Sequence, residues 1–98
     1  MTLRIRYRPQ ALADLDEAAG WYEARGRGLG ADFLRAFEIA LAAVVRQPNM
    51  YPQVHGPARR AKLRRYPYNI YYIVGAEEIL VVACMYGGRD PRRWQRRA

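Results

Sequence analysis

The sequence of 98 residues has very few of the side chains that support nucleophilic or metal chemistry. It contains one cysteine, Cys84, and one histidine, His55. A single cysteine cannot form an internal disulfide, and Cys84 lies within an apolar run, which predicts a small core residue rather than a nucleophile. No second histidine is present that could bind a metal ion together with His55. The sequence therefore predicts neither a metal site nor a bound cofactor.

Long apolar runs are also missing. No stretch of about 18 apolar residues occurs, as a membrane-spanning helix would need. The first residues lead directly into an alternating segment and not into a signal peptide. We therefore expect a cytoplasmic protein that does not associate with a membrane. The apolar content of 51% is enough for one core at this length, so we expect a single domain over residues 1–98.

Acidic residues are the scarcer kind of charge. Nine Asp and Glu stand against 17 Lys and Arg, which gives a formal net charge of +8 at pH 7. The segment 59–97 holds ten of the basic residues and three of the acidic ones, so it carries +7 and the rest of the chain about +1. Such an excess indicates an anionic partner: a nucleic acid, a complex that contains one, or an acidic protein that masks the charge.

Hydrophobic periodicity predicts a strand and two helices in the first half. Residues 3–8 alternate between apolar and basic, as in a half-buried strand. Apolar residues including Leu12 recur at helical spacing from Pro9, and a second helical pattern follows a glycine-rich break at 25–30 and ends at Pro48. A phosphate-binding loop is the alternative for the break, but it lacks a preceding strand and a lysine. The acidic residues of both helices are expected on solvent-exposed faces: Asp14, Asp16, Glu17, Glu23, Asp32 and Glu38.

The second half reads as three strands after a proline-rich loop at 47–57. Alternation over 60–65 and 69–74 and an entirely apolar run over 79–86 predict an antiparallel meander, and a short helix begins near Pro91. The predicted fold is α+β with the order β-α-α-β-β-β and a short C-terminal helix. Two helices should cover one face of a four-stranded, mainly antiparallel sheet, and the other face should remain more exposed as a basic binding surface.

Seven short motifs along the whole chain resemble the RelE/ParE superfamily of bacterial toxins. They are A-x-x-D-L at 11–15, W-Y at 21–22, G-x-x-F at 30–33, P-x-x-Y-P at 48–52, R-R-Y-P-Y at 64–68, I-Y-Y at 70–72 and G-R-D-P-R-R-W at 88–94. The resemblance implies a type II toxin that inhibits growth, acts in plasmid stabilisation and is held inactive in a hetero-oligomer with a cognate antitoxin protein.

The resemblance leaves three functions open. ParE-like toxins inhibit DNA gyrase and trap its complex with cleaved DNA, and the motif ending in Trp94 is closer to this branch. RelE-like toxins cleave mRNA on the ribosome, and Lys62, Arg65, Arg89 and Tyr86 would be the corresponding groups here. Trp94 stands where such nucleases tend to offer Tyr or His and cannot transfer a proton, so we favour the first function and assign no catalytic residue. The third is an inactive module that acts only in complex with antitoxin.

The resemblance and the charge pattern together suggest two sets of contact residues. Target contacts are expected at Arg60, Lys62, Arg64, Arg65, Arg89, Arg92, Arg93 and Trp94. Antitoxin contacts are expected on the helix hairpin at Leu15, Trp21, Tyr22, Phe33 and Phe37. Structural alternatives remain for the first set: a solvated edge strand at 59–65, an ion pair between Arg89 and Asp90, a packing role for Trp94, and a frayed basic tail after it.

Overall fold

The computed structural model describes residues 3–98, and within them the chain forms five strands and three helices. The order of elements confirms the α+β class but corrects the number of strands from four to five. The elements are β1 (Arg4–Tyr7), α1 (Pro9–Glu23), α2 (Leu29–Arg46), β2 (Gln53–His55), β3 (Ala58–Lys62), β4 (Tyr68–Val74), β5 (Glu78–Tyr86) and α3 (Arg92–Gln95). Within residues 3–98 no helix is both long and apolar enough to cross a membrane.

The sheet has the strand order β1-β5-β4-β3-β2. β1 runs parallel to β5, and the other neighbours are antiparallel, so the sheet is mixed. The unpredicted strand β2 lies inside the proline-rich segment. Its three residues are all exposed, so they show no alternation of buried and exposed positions. It pairs with β3, which therefore lies between two strands and is not the edge strand that its charges suggested.

The helix hairpin packs on one face of the sheet and forms the main core. α2 contributes Phe33, Phe37 and Val44, and the facing sheet side contributes Ile70, Tyr72, Ile79 and Val81, all of them buried. The buried residues of α1 are Ala11, Leu15 and Ala18, so the stripe includes Leu15 as predicted but begins at Ala11 and not at Leu12. Leu12 is consequently 49% exposed.

The opposite sheet face is partly covered by the C-terminal segment, which corrects the expectation of an open face. Trp94 of α3 is only 3% exposed and belongs to a second apolar cluster with Val82 and Met85. Its ring stacks on Tyr71 with centroids 4.0 Å apart, and His55 meets it edge-on at 5.8 Å. The apolar run of β5 is explained by this arrangement, since its side chains enter a core on each face of the sheet.

The glycine-rich break is built around the side chain of Glu23. Its carboxylate accepts hydrogen bonds from the backbone N–H of Gly28 at 3.1 Å and of Gly30 at 3.0 Å. The space that a phosphate would occupy at the start of α2 is thus filled by a carboxylate of the chain itself. Gly28 has a φ of 86°, and a Cβ on Gly30 would stand 2.7 Å from the carbonyl oxygen of Ala19, so both positions require glycine.

The C-terminal tail is tied to α1 and β5 by a mostly buried ion pair. The guanidinium of Arg97 lies 2.7 Å from the carboxylate of Asp14, and the two side chains are 17% and 15% exposed. Asp14 also accepts the backbone N–H of Cys84, and Arg97 donates to the carbonyl of Val82. The expectation that Asp14 lies on a wet face and that the tail is frayed is therefore wrong for these two residues.

Candidate functional site

Two basic side chains of β3 lie on the sheet face opposite the helix hairpin. Arg60 pairs with Tyr71 and Lys62 with Asn69, and these positions alternate with Ala61, which enters the main core. The neighbouring Arg59 points elsewhere: its guanidinium donates to the carbonyl oxygens of Asn49 and Tyr51 at 3.2 and 2.6 Å. Arg60 and Lys62 are thus available to a ligand, while Arg59 holds the proline-rich loop.

Arg60 and Lys62 line a groove at the end of the sheet. One cavity of about 360 Å³ is lined by Arg60, Lys62, Tyr86 and the buried Asn69. An adjoining cavity of about 290 Å³ shares Arg60 and Asn69 and adds Arg89. Among the described residues no Asp or Glu lines either cavity. We call this continuous surface the sheet-end groove; its charge suits an anionic ligand such as a phosphate chain.

Arg89 remains free to act in the sheet-end groove because Asp90 has a different partner. Asp90 forms a two-pronged ion pair with Arg92, whose Nη2 lies 2.8 Å from the carboxylate. These hydrogen bonds lower the pKa of the Asp90 carboxyl and raise that of the Arg92 guanidinium. The structural alternative of an Arg89–Asp90 ion pair is therefore wrong. Within residues 3–98 the ion-pair partner of Arg89 is the exposed carboxylate of Glu17 at 3.8 Å, and the Arg89 side chain is 40% exposed.

The turn between β3 and β4 carries Arg65 in a conformation that side chains rarely adopt. Its φ is 68°, which favours glycine, and such backbone strain is common at functional positions. Asp32 of α2 holds the turn, since it lies 3.3 Å from the Arg65 guanidinium and accepts a hydrogen bond from the Tyr66 hydroxyl. That hydrogen bond, with help from Arg65, lowers the pKa of Asp32. Asp32 is therefore a structural partner and not simply a solvent-facing carboxylate.

The predicted target residues do not share one surface. Arg64 and Arg65 line a second groove of about 490 Å³ between α2 and β3, which we call the α2–β3 groove. Lys62 lines both grooves and marks their common border. Arg92 is compensated by Asp90, and Arg93 lies in a further pocket beside Asp14 and Glu17. Trp94 is buried, so its prediction as a target contact is wrong and the packing interpretation is correct.

The predicted antitoxin contacts are also only partly accessible. Leu15, Phe33 and Phe37 lie in the main core with exposures of 8%, 0% and 3%, so the structure gives a partner no access to them. Tyr22 is half-buried and stacks on Phe33 at 5.4 Å. Trp21 is 49% exposed, with the guanidinium of Arg25 3.4 Å from its ring centroid. Helical periodicity could not separate the exposed aromatic Trp21 from the aromatics of the core.

The four residues proposed for a nuclease do not come together in one site. Lys62 and Tyr86 line the same cavity and Arg89 the next one, but Arg65 faces α2. Tyr86 is 48% exposed, whereas its place in the apolar run suggested a core position. Cys84 offers no nucleophile, because burial raises the pKa of its thiol to about 12.

The α2–β3 groove contains residues that the sequence patterns did not single out. Ala36, Ala40 and Ala43 of α2 form its apolar side, and Arg46 adds a cation at the end of the helix. The alanines are four and then three positions apart, which places them on one helix face. The alanine repeat on one face of α2 was the sequence feature from which a groove beside the cations of 62–65 could have been predicted.

The chain matches a protein family and solved structures. The family described as ParE toxin of type II toxin-antitoxin system, parDE, matches residues 5–91. A solved structure of the chromosomal ParDE TA system from P. aeruginosa has a chain that superposes with a TM-score of 0.76 and 18% sequence identity, over 87% of this chain and 96% of the other. At that identity the likeness shows the fold alone. A search among curated proteins gives no match.

Proposed function

Because the chain belongs to the ParE toxin family of type II toxin-antitoxin systems, we propose that it is a cytoplasmic toxin that inhibits growth by poisoning DNA gyrase on DNA. A cognate antitoxin protein neutralises it in a hetero-oligomer. The P. aeruginosa structure of similar fold is described as a ParDE TA system, which supports an antitoxin partner for this chain as well.

The sheet-end groove is the observation that carries the proposal. Arg60, Lys62 and Arg89 line this groove, and no Asp or Glu is among its described lining residues. The carboxylate of Glu17 approaches Arg89 to 3.8 Å from outside the groove. A DNA strand held open in a gyrase complex presents phosphates at regular spacing, and cations that displace its counterions supply binding energy without any proton transfer. Poisoning of this kind requires a stable contact with the DNA-bound enzyme, so charge and shape are the properties that the surface must provide.

Replacement of Arg89 by alanine tests the groove directly. The side chain is 40% exposed and its ion pair with Glu17 is long, so the variant should fold normally. We expect Arg89→Ala to lose most of the growth inhibition seen on expression without antitoxin. Arg27→Ala is the matched control, because Arg27 is exposed, lies outside the cavities described above and makes no ion pair within residues 3–98. Equal toxicity of Arg89→Ala and the wild type, at equal protein level, would remove Arg89 from the site.

A RelE-like ribosome-dependent endoribonuclease is the second candidate function. The exposure of Tyr86 favours it, because a phenolic hydroxyl in the same cavity as Lys62 could donate a proton to a leaving oxygen. Primer extension on translated mRNA separates the two functions. New 5′ ends after induction of the wild type, and their loss in Tyr86→Phe, would establish the nuclease; the gyrase proposal expects no new ends and full toxicity of Tyr86→Phe.

An inactive module that acts only in complex with antitoxin is the third possibility named by the sequence. Expression of the folded wild-type chain without antitoxin decides against it if growth stops. Unimpaired growth at a protein level that can be detected on a gel would favour this inactive module over both active functions.

A further inference from the structure

We propose that the second cavity of the sheet-end groove is a binding site for a single phosphate group. This cavity of about 290 Å³ is lined by Arg60, Asn69, Tyr71, Arg89 and Trp94 among others, and we call it the Arg60–Trp94 pocket. In this site the indole N–H of Trp94 donates to a phosphate oxygen, and Arg60 and Arg89 supply the positive charge. The proposal rests on the proposed function in one respect, namely that the phosphate belongs to the DNA strand.

The indole N–H of Trp94 is a buried donor that has no acceptor within residues 3–98. The Trp94 side chain is 3% exposed, and its Nε1 makes no hydrogen bond to any described residue. Leaving a buried donor unpaired is costly, and most such groups in proteins have a partner. The ring packs on Tyr71 through its face, whereas the N–H lies at its edge. A phosphate in the pocket can therefore accept this N–H while the ring keeps its packing role.

Arg60 is a partly buried cation whose charge is also uncompensated. It lies on β3 directly opposite Tyr71 of β4, and its guanidinium makes no hydrogen bond or ion pair within residues 3–98. The preceding Arg59 is buried to a similar degree but donates to the carbonyl oxygens of Asn49 and Tyr51. A guanidinium has five N–H donors and no acceptor, so Arg60 requires an anionic or carbonyl partner that the described chain does not supply.

The remaining polar groups of the pocket also favour an anion. Asn69 is buried, and its amide nitrogen donates to the Tyr71 hydroxyl at 3.2 Å, which leaves a second N–H on the same atom. Arg89 adds a second cation, whose ion pair with Glu17 is long at 3.8 Å. Among the described residues no Asp or Glu lines the pocket. The lining therefore presents several donors and no negative charge, which suits an oxyanion and not a metal ion.

The size of the pocket and the positions of its donors favour a phosphate over other anions. Its volume of about 290 Å³ equals that of roughly ten water molecules, so it holds a phosphate group with some of its water and not a duplex. The oxygens of a phosphate point to the corners of a tetrahedron, so donors from β3, from α3 and from the segment after β5 can each meet a different oxygen. A carboxylate has two oxygens in one plane and is matched by a single two-pronged arginine.

The indole N–H signal of Trp94 in a nitrogen-15 NMR spectrum reports on the pocket directly. The chain has two tryptophans, so two such signals are expected, and Trp21→Phe assigns them. Inorganic phosphate, titrated against chloride at constant ionic strength, should move the Trp94 signal downfield to saturation and leave that of the exposed Trp21 in place. A Trp94 signal that does not move would overturn the proposal, as would an equal response to acetate.

Two arginine variants of equal charge separate the pocket from the general attraction of a basic protein. Arg60→Gln should weaken phosphate binding at least about tenfold, because it removes a charge-assisted hydrogen bond. Arg27→Gln loses the same charge from an exposed position outside the cavities described above, so its phosphate affinity should stay within about twofold of the wild type. Unchanged affinity in folded Arg60→Gln, or an equal loss in Arg27→Gln, would overturn the proposal.

Replacement of Trp94 by phenylalanine isolates the contribution of its N–H. Trp94→Phe keeps an aromatic ring against Tyr71 and should weaken phosphate binding about fivefold or more. The backbone N–H signals of Gly87 and Gln95, which line the pocket, report on binding in this variant. Wild-type affinity in folded Trp94→Phe would remove the N–H from the site. If circular dichroism shows that Trp94→Phe does not fold, the indole signal and Arg60→Gln decide the question.

Two oligonucleotides identify the source of the phosphate. One is a short single-stranded DNA without terminal phosphates, and the other has the same sequence with a 5′-phosphate. If the pocket takes a backbone phosphate, both should shift the Trp94 signal equally, and inorganic phosphate should compete with them. A shift with only the 5′-phosphorylated strand and inorganic phosphate would uphold the pocket and assign it to a terminal or free phosphate. No shift with any of the three would overturn the proposal.

The test of the pocket is independent of the test of the proposed function. A normal response of the Trp94 signal to phosphate, together with a failure to inhibit gyrase, would contradict the proposed function alone. Inhibition of gyrase by a chain whose Trp94 signal does not respond to phosphate would overturn the pocket alone.

Discussion

Replacing Arg97 with alanine tests whether the C-terminal tail is part of the folded structure. The change removes contacts of 2.7 and 3.3 Å to the Asp14 carboxylate and a donor to the carbonyl of Val82. Breaking a fully buried ion pair costs about 3–5 kcal/mol, since the remaining charge loses its partner. Asp14 keeps the N–H of Cys84 and is 15% exposed, so we expect a smaller loss, about 2–3 kcal/mol.

Urea denaturation followed by tryptophan fluorescence measures this loss. In a thermal unfolding experiment, the same loss of stability should lower the melting temperature of a domain of this size by about 10–20 °C. Arg96→Ala is the matched control, because Arg96 is exposed, carries the same charge and makes no ion pair within residues 3–98; its effect should stay within about 0.5 kcal/mol. Equal stability of the two variants would refute the reasoning and would favour the alternative that the C-terminal tail is frayed.

Three further substitutions concern the helix hairpin and the turn between β3 and β4 that contacts it. Gly30→Ala should destabilise the chain by about 1–3 kcal/mol, because the new Cβ would meet the carbonyl oxygen of Ala19 at 2.7 Å. Gly20→Ala should stabilise α1 by about 0.5–1 kcal/mol, because a Cβ there has nothing within 4 Å. The same urea titration measures both changes. Tyr66→Phe removes the main cause of the lowered pKa of Asp32, which should rise towards 3.8 in a carbon-13 NMR titration. The hydrogen bond therefore stabilises the wild type over the variant above pH 3.8, and this advantage is lost as pH falls through the lowered pKa of Asp32.

Local patterns in the sequence were sufficient for most of the architecture. The alternation of residues 3–8, the helical spacing around Leu15 and the apolar run of β5 are local signals, so the type and order of these elements could be predicted. β2 could not be predicted, because its three exposed residues are ordered by pairing with β3 and carry no pattern of their own.

The errors at the candidate site come from contacts between distant parts of the chain. Asp14 reads as a solvent-facing helix residue, and only the fold brings Arg97, 83 residues later, against it. Trp94 lies within a basic segment of the sequence, and its burial depends on contact with Tyr71 of β4. Charge density correctly indicated Arg60, Lys62 and Arg89 as members of a cationic surface, but periodicity gives no information about which groove each cation of 59–65 would line.

Purified DNA gyrase provides the most direct test of the central claim. The chain, added at micromolar concentration to a supercoiling reaction, should inhibit supercoiling and cause cleaved DNA to accumulate, and Arg89→Ala should do neither while Arg27→Ala behaves like the wild type. Normal supercoiling with no accumulation of cleaved DNA, using folded wild-type protein, would contradict the proposed function.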